Sequence, residues 1–300
     1  MYNIYHIDGG IGKNIMGTAV CREINDHHSE NKTIVVCSYP EIFLHNPNIY
    51  RIYRSTNTPY FYDDFVKNKN SLIFKFDPYN ATAHIQRKEH LTDTWCDIFK
   101  LKNKSTTPEL YFNKMEDRNL LLLKQKYSPD KPYIIVQING GLGHGENHIP
   151  MHWYRDIPPF YYQNLINAYR DKFNFILFKH ANQLSMEGVI EPNLSLRESL
   201  NMMRGAEGAL CIDSMVQHAM AALNKPSLVC WIGNSPTVFG YPMHTNVVSN
   251  FVNELENPEG YLDPYALQSE GYQCPINYDQ QKLFDINQLH PEFASLFIKK

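Results

Sequence analysis

The sequence predicts an α/β protein made of two Rossmann-like halves, and three observations predict it. Short β-branched or aromatic runs alternate with segments of helical length, the pattern of parallel strands joined by crossover helices. Two of those runs end in glycine-rich loops, one at the start of the chain and one near its middle. The length, 300 residues, suits two compact units sharing a cleft better than one.

The first set of strands is YNIYHI (2–7), TIVVC (33–37), IYRIY (49–53) and LIFKF (72–76), with helices expected near 15–25 and 85–100. The second is YIIVQI (133–138), FNFILF (173–178), GALCI (208–212) and SLVCWI (227–232), with helices near 160–171, 196–205 and 214–223. Between the sets the stretch from Leu120 to Pro132 ends in the turn-rich SPDKP, which puts the domain boundary near Tyr127. The expected division is therefore 1–127, 128–280 and a last helix over 281–300. Residues 250–280 are rich in Pro, Gly and Asn and read as a long irregular segment.

Composition narrows the class. A hydrophobic share of 43% with 20 Tyr and 16 Phe supplies two cores and flat faces for a pocket, which excludes a disordered chain. No cationic segment followed by an apolar run opens the chain, and nowhere do 18 apolar residues stand together, so neither signal peptide nor membrane span is expected. The cytoplasm follows by default. Cys21, Cys37, Cys96, Cys211, Cys230 and Cys274 form no CxxC pair and read as reduced thiols. A net charge of -3 excludes non-specific wrapping of nucleic acid. Through residue 125 there are 16 Lys+Arg against 14 Asp+Glu, and beyond it 12 against 17. An anionic partner fits the first half better, although solvated surface charge gives so small a bias equally well.

Three segments carry candidate chemistry. Asp8-Gly9-Gly10-Ile11-Gly12-Lys13-Asn14 follows the first strand, where glycines permit a tight turn and bring amides and a helix N-terminus close to an anion or sugar. The spacing Gly10, Gly12, Gly17 fits neither the dinucleotide fingerprint nor a phosphate-binding lysine loop, and packing alone also explains glycine there. Asn139-Gly140-Gly141-Leu142-Gly143-His144-Gly145 follows the first strand of the second half, and two such exits suit a ligand held between facing sheets. Arg155, just beyond, offers a planar fork for a phosphate. In GALCIDSMVQHAMAALNKPSLVCWIG (208–233), Asp213 is placed to cap a helix, and Ser214 and His218 share one face of it. A hydroxyl, the free N–H groups of a helix N-terminus and an imidazole beside a central strand make a cradle for a diphosphate; a plain cap and a core histidine explain the same residues.

These segments resemble the heptosyltransferases, glycosyltransferase family 9. Residues 196–236 are similar to that family's D-[TS]-x-x-x-H-x-x-A-A-x-x-K-P signature, here Asp213, Ser214, His218, Ala221, Ala222, Lys225 and Pro226. IDGGIGKNIMGTAV resembles its first glycine loop, and RDIPPFYYQNLI its Lys-x-Trp-Pro segment with Arg155 in the lysine's place; the matched pieces cover about a quarter of the chain. The resemblance implies a GT-B fold, with an acceptor in the N-terminal domain and a nucleotide sugar in the C-terminal one. It further implies inversion at the anomeric carbon, no metal and no cofactor beyond the nucleotide-sugar substrate. Gly140, Gly141, Arg155, Asp213, Ser214, Met215 and His218 would hold the donor, and Gly10, Gly12 and Asn14 would face the acceptor. The family has an Asp after the last glycine of the first loop, whereas this chain has Lys13, which as an ammonium cannot take a proton. Either Asp8 is the base, with Lys13 holding an anionic acceptor or the diphosphate, or catalysis rests on charge and positioning.

The acceptor expected is a glycan. The alternative is modified DNA, as for a phage enzyme acting on hydroxymethylcytosine: the Asn-, Lys-, Ile- and Tyr-rich style and the basic clusters at Lys67 and Lys69, Arg87 and Lys88, and Lys100, Lys102 and Lys104 allow it. A nucleotide-sugar-binding protein without catalysis is a further alternative, prompted by Lys13. A dinucleotide oxidoreductase fits worst, since TIVVCSYPE brings no acidic residue before Glu41.

Overall fold

The computed structural model describes residues 1–141, 154–250 and 279–298, and in it both expected sheets form. The first half runs β1 (Tyr2–Ile7), α1 (Ile11–His27), β2 (Lys32–Cys37), α2 (Pro40–Phe43), β3 (Arg51–Arg54), α3 (Phe61–Phe65), β4 (Ser71–Phe74), α4 (Thr82–Ile85), α5 (Leu91–Ile98) and α6 (Lys114–Tyr127). The second runs β5 (Tyr133–Val136), α7 (Pro159–Tyr169), β6 (Asn174–Leu177), α8 (Leu196–Gly205), β7 (Gly208–Ile212), α9 (Met215–Ala222), β8 (Ser227–Trp231), α10 (Pro236–Phe239) and β9 (Thr245–Val248), and α11 (Ile286–Phe297) follows.

Every strand pairing is parallel, in the orders β3-β2-β1-β4 and β6-β5-β7-β8-β9. All residues of β5, β7 and β8 are buried, as parallel strands covered on both faces must be. The strand order reverses between β1 and β4 in one sheet and between β5 and β7 in the other. Crevices open at such points, beyond the carboxyl ends of the strands. Tyr2 lies opposite Ser71 and Tyr5 opposite Phe74, so the chain leaves β1 and β4 side by side.

Several elements differ from expectation. Gly10 stays extended and serves as the N-cap, so α1 begins at Ile11 rather than near residue 15. The helix expected over 85–100 is broken by Arg87 in the left-handed region, and α5 restarts after His90, whose imidazole accepts from the Thr92 amide. The third strand begins two residues later and ends one later than expected, at Arg51–Arg54, and β9, four residues of TNVV, is additional. Leu142, Gly143, His144 and Gly145, the segment 251–278 and Cys274 lie outside the described residues. The other five cysteines are buried and free.

Tyr127 ends α6, and SPDKP leads into β5. Yet α6 packs on α8 of the second half. Arg197 donates to both carboxylate oxygens of Glu116, to the carbonyls of Glu41 and Tyr111, and stacks 4.4 Å from the Phe112 ring. One apolar core runs through both halves, joining Tyr5, Val35 and Trp95 to Ile135, Cys211 and Trp231. The last helix closes the second half by burying Leu289, Phe293 and Phe297. Among the described residues no helix is long and apolar enough to cross a membrane.

Candidate functional site

A cavity of about 1080 Å³ lies between the carboxyl edges of the two sheets. From the first half it is lined by Gly9 to Lys13, which leave β1, and by Asp77 and Tyr79, which leave β4. Gly140, Gly141, Arg155, Ser214, Met215 and His218 are among the residues that line it from the second half.

The second-half wall presents groups that can hold an anion. Ser214 is the N-cap of α9 but makes no capping hydrogen bond, because its hydroxyl is turned to the Gln137 side chain. The first turn carries no acidic side chain, so the amides and positive dipole end of this helix are available to a ligand. Arg155 stands beside Gly140, where a Cβ would lie 2.7 Å from its Cζ. The buried Nε of Arg155 has no hydrogen-bond partner among the described residues. Gly141 has a left-handed φ of 75°, and its carbonyl accepts from Gln183 at 3.1 Å. Sequence places glycine at 140 and 141, and the structure supplies the reasons: close approach at one, backbone conformation at the other.

Asp213 does not cap the helix as expected. Ser214 is so extended that α9 begins one residue later, and the Asp213 carboxylate turns inward to accept from Gln217 at 3.1 Å and from the Asn234 amide. Burial pushes its carboxyl up, against the influence of Arg155 and of the Asn234 and Gln217 bonds. His218 is only 3% exposed and its Nδ1 lies 2.8 Å from the Tyr241 hydroxyl. Burial, helped by His90 and His244, pushes its imidazole down to about 3. It is therefore neutral, offering an anion packing and one N–H but no charge.

In the first loop, Gly9 takes a φ of 100° and Gly10 an ordinary one, with open space where a Cβ would stand. Gly12 is required by the other half, since its Cβ would lie 2.9 Å from His218 Cδ2. Asn14 is buried and away from the cavity; its amide bonds the carbonyls of Gly9 at 3.3 Å and Gly10 at 2.9 Å and so shapes the loop. Asp8 also stands off the cavity lining, 57% exposed and 3.4 Å from His6. Lys13 is 10% exposed; its ammonium lies 2.9 Å from Asp77 and over the rings of Tyr79 and Trp95, at 5.2 and 5.7 Å. Its charge is already matched by a carboxylate.

Solved structures share this fold. A glycosyl transferase family 9 protein from Veillonella parvula superposes with a TM-score of 0.70 at 11% identity, covering 100% of this chain and 97% of that one. ADP-heptose lipopolysaccharide heptosyltransferase II of E. coli gives 0.58 at 10% identity, over 100% and 99%. The fold is GT-B. E. coli heptosyltransferase WaaC, solved with ADP, gives 0.55 at 14% identity, over 84% and 94%. No protein-family model matches the sequence, and no curated protein is significantly similar to it.

Within this GT-B frame the sequence brings together Gly9 to Lys13, Gly140, Gly141, Arg155, Asp213, Ser214, Met215 and His218, all on one cavity, and leaves Asp8 and Asn14 outside its lining. Asp77, Gln137, Tyr154 and Asn234 also line the cavity, and no sequence motif marks them. Gln137 and Asp77 follow strands on the same edge, and that position is the signal that would have found them.

Proposed function

We propose that this chain transfers a sugar from a nucleotide-sugar donor to a hydroxyl acceptor, with inversion at the anomeric carbon and without a metal. The observation that carries the reading is the pairing of Arg155, its Nε without a hydrogen-bond partner among the described residues, with the uncapped start of α9 on one cavity wall. A diphosphate placed there accepts from the guanidinium and from the amides of Met215 and its neighbours. These groups stabilise the charge that grows on the departing diphosphate, the part elsewhere played by a metal on an Asp-x-Asp motif, which this sequence lacks. Gly140 and Gly141 let the backbone approach, and the Asp213 carboxylate is engaged by the side-chain amides of Gln217 and Asn234. WaaC with ADP and the iron-containing TibC with ADP-D-β-D-heptose show that proteins of this shape take such ligands, which supports the donor class.

A glycan hydroxyl is the acceptor favoured over DNA. Lys104, in the largest basic cluster, is held by Asp97 at 2.6 Å and Glu89 at 3.2 Å, and Lys67 lies 3.5 Å from Asp63, so part of the charge that would track a phosphate backbone is matched within the chain.

The test is thermal denaturation with a panel of ADP-, GDP- and UDP-sugars in EDTA. One of them at about 100 times its Kd should add about 2.7 kcal/mol and raise Tm by several degrees. Arg155→Ala should remove that stabilisation while melting like the parent without ligand. A panel that leaves Tm unchanged defeats the reading.

A further inference from the structure

The cavity holds two carboxylates among the described residues, Asp77 and Asp213. Asp213 belongs to the donor wall and is bound by side-chain amides. Asp77 comes from the opposite wall. It lies at the exit of β4, next to the exit of β1, and caps a short turn over Pro78–Asn80. Its Oδ2 accepts from Lys13 Nζ at 2.9 Å and its Oδ1 from the Tyr79 amide at 3.2 Å. Each oxygen keeps a further lone pair, and the side chain is 46% exposed. Lys13, half-buried with its ammonium over two aromatic rings, fixes its orientation. Tyr79, Arg155 and Asp213 line the same cavity, so Asp77 shares it with the donor wall.

We propose that Asp77 is the general base of the transfer and Lys13 its positioning residue, an assignment that rests on the donor reading above. The acceptor hydroxyl oxygen forms a bond to the anomeric carbon on the face away from the diphosphate. The bond from that carbon to the diphosphate oxygen breaks, its electron pair leaving with the diphosphate, and the hydroxyl proton passes to an Asp77 oxygen. Lys13, where a base is expected from family resemblance, thus holds a base delivered by the neighbouring strand exit. Asp8, turned toward His6 and solvent, has no such position.

The test uses the full chain and the nucleotide sugar that stabilises it most, with water as acceptor, following release of the nucleoside diphosphate. Asp77→Asn should lower kcat by about 100-fold or more, the range of general-base contributions, with the donor KM within about threefold of the parent. Formate should restore part of the rate in Asp77→Ala, which a purely structural role would not allow. Lys13→Met should lower kcat at unchanged KM, and Lys13→Arg should recover part of it. Undiminished release in Asp77→Asn, or loss in Asp8→Asn alone, overturns the assignment while the donor reading stands. A parent protein that neither binds nor cleaves any member of the panel overturns both.

Discussion

At the scale of single residues, the two glycine loops serve different ends. Gly140 exists because Arg155 lies against it, so Gly140→Ala should push the guanidinium out of place. We expect donor affinity to fall at least tenfold, measured by calorimetric titration, with Tm lowered by only a few degrees; an unchanged Kd would mean that Arg155 is not where the phosphate sits. The glycines themselves were plain in the sequence, but their reasons were not. Gly12 answers to His218 across the cleft and Gly9 to its own φ, whereas Gly10, central to the expected spacing, has open space around it. Asp213 was misplaced as a cap because its partner Asn234 stands 21 residues later, a separation no local pattern records. Asp77 is silent in the sequence because a strand exit without glycine carries no signature; only the neighbouring β1 exit gives it meaning.

At the scale of elements, strand identity was legible wherever β-branched runs were long and flanked by turn residues. Failures fell on short pieces such as β9, whose four residues form a strand by pairing with β8. The helix α6 shows what sequence order hides. The turn residues after it predict a boundary near Tyr127, yet Arg197 binds Glu116 and two carbonyls and ties the helix to α8. Burial raises the Glu116 carboxyl, but Arg197 and the Asn113 amide outweigh it and hold it below its ordinary value. Both side chains are about 15% exposed, so removing one strands the other. Arg197→Ala should cost about 3 kcal/mol in urea denaturation, and Arg197→Lys should recover less than half, since an ammonium lacks the planar fork. A loss below about 0.5 kcal/mol would mean that α6 is held by its apolar face alone.

At the scale of the whole molecule, the two halves meet over buried rings. His90 and His218 pack on Tyr241 at 5.3 and 5.6 Å, His244 joins them at 5.6 Å, and His84 rests on Phe239 at 5.7 Å. Burial pushes His84, His90 and His244 down to about 4 and His218 to about 3, from an ordinary 6.5. Below pH 6.5 the unfolded chain therefore takes up protons that the folded chain refuses. Stability is complete above that value and falls as pH drops toward 4, by up to about 1.4 kcal/mol per pH unit for each histidine. Melting followed from pH 7.5 to pH 5 should show Tm falling steadily below pH 6.5; a flat profile would mean that these rings are hydrated.

The shared core also sets a timetable for the chain as it is made. The face that α1 turns toward α9, and the Met16 and Leu91 side chains that Val238 covers, belong to the first hundred residues and find their partners only after residue 215. At ordinary rates of synthesis that wait lasts on the order of ten seconds. For that interval the nascent first half carries an uncovered oily flank, open to association with other chains until the second half arrives.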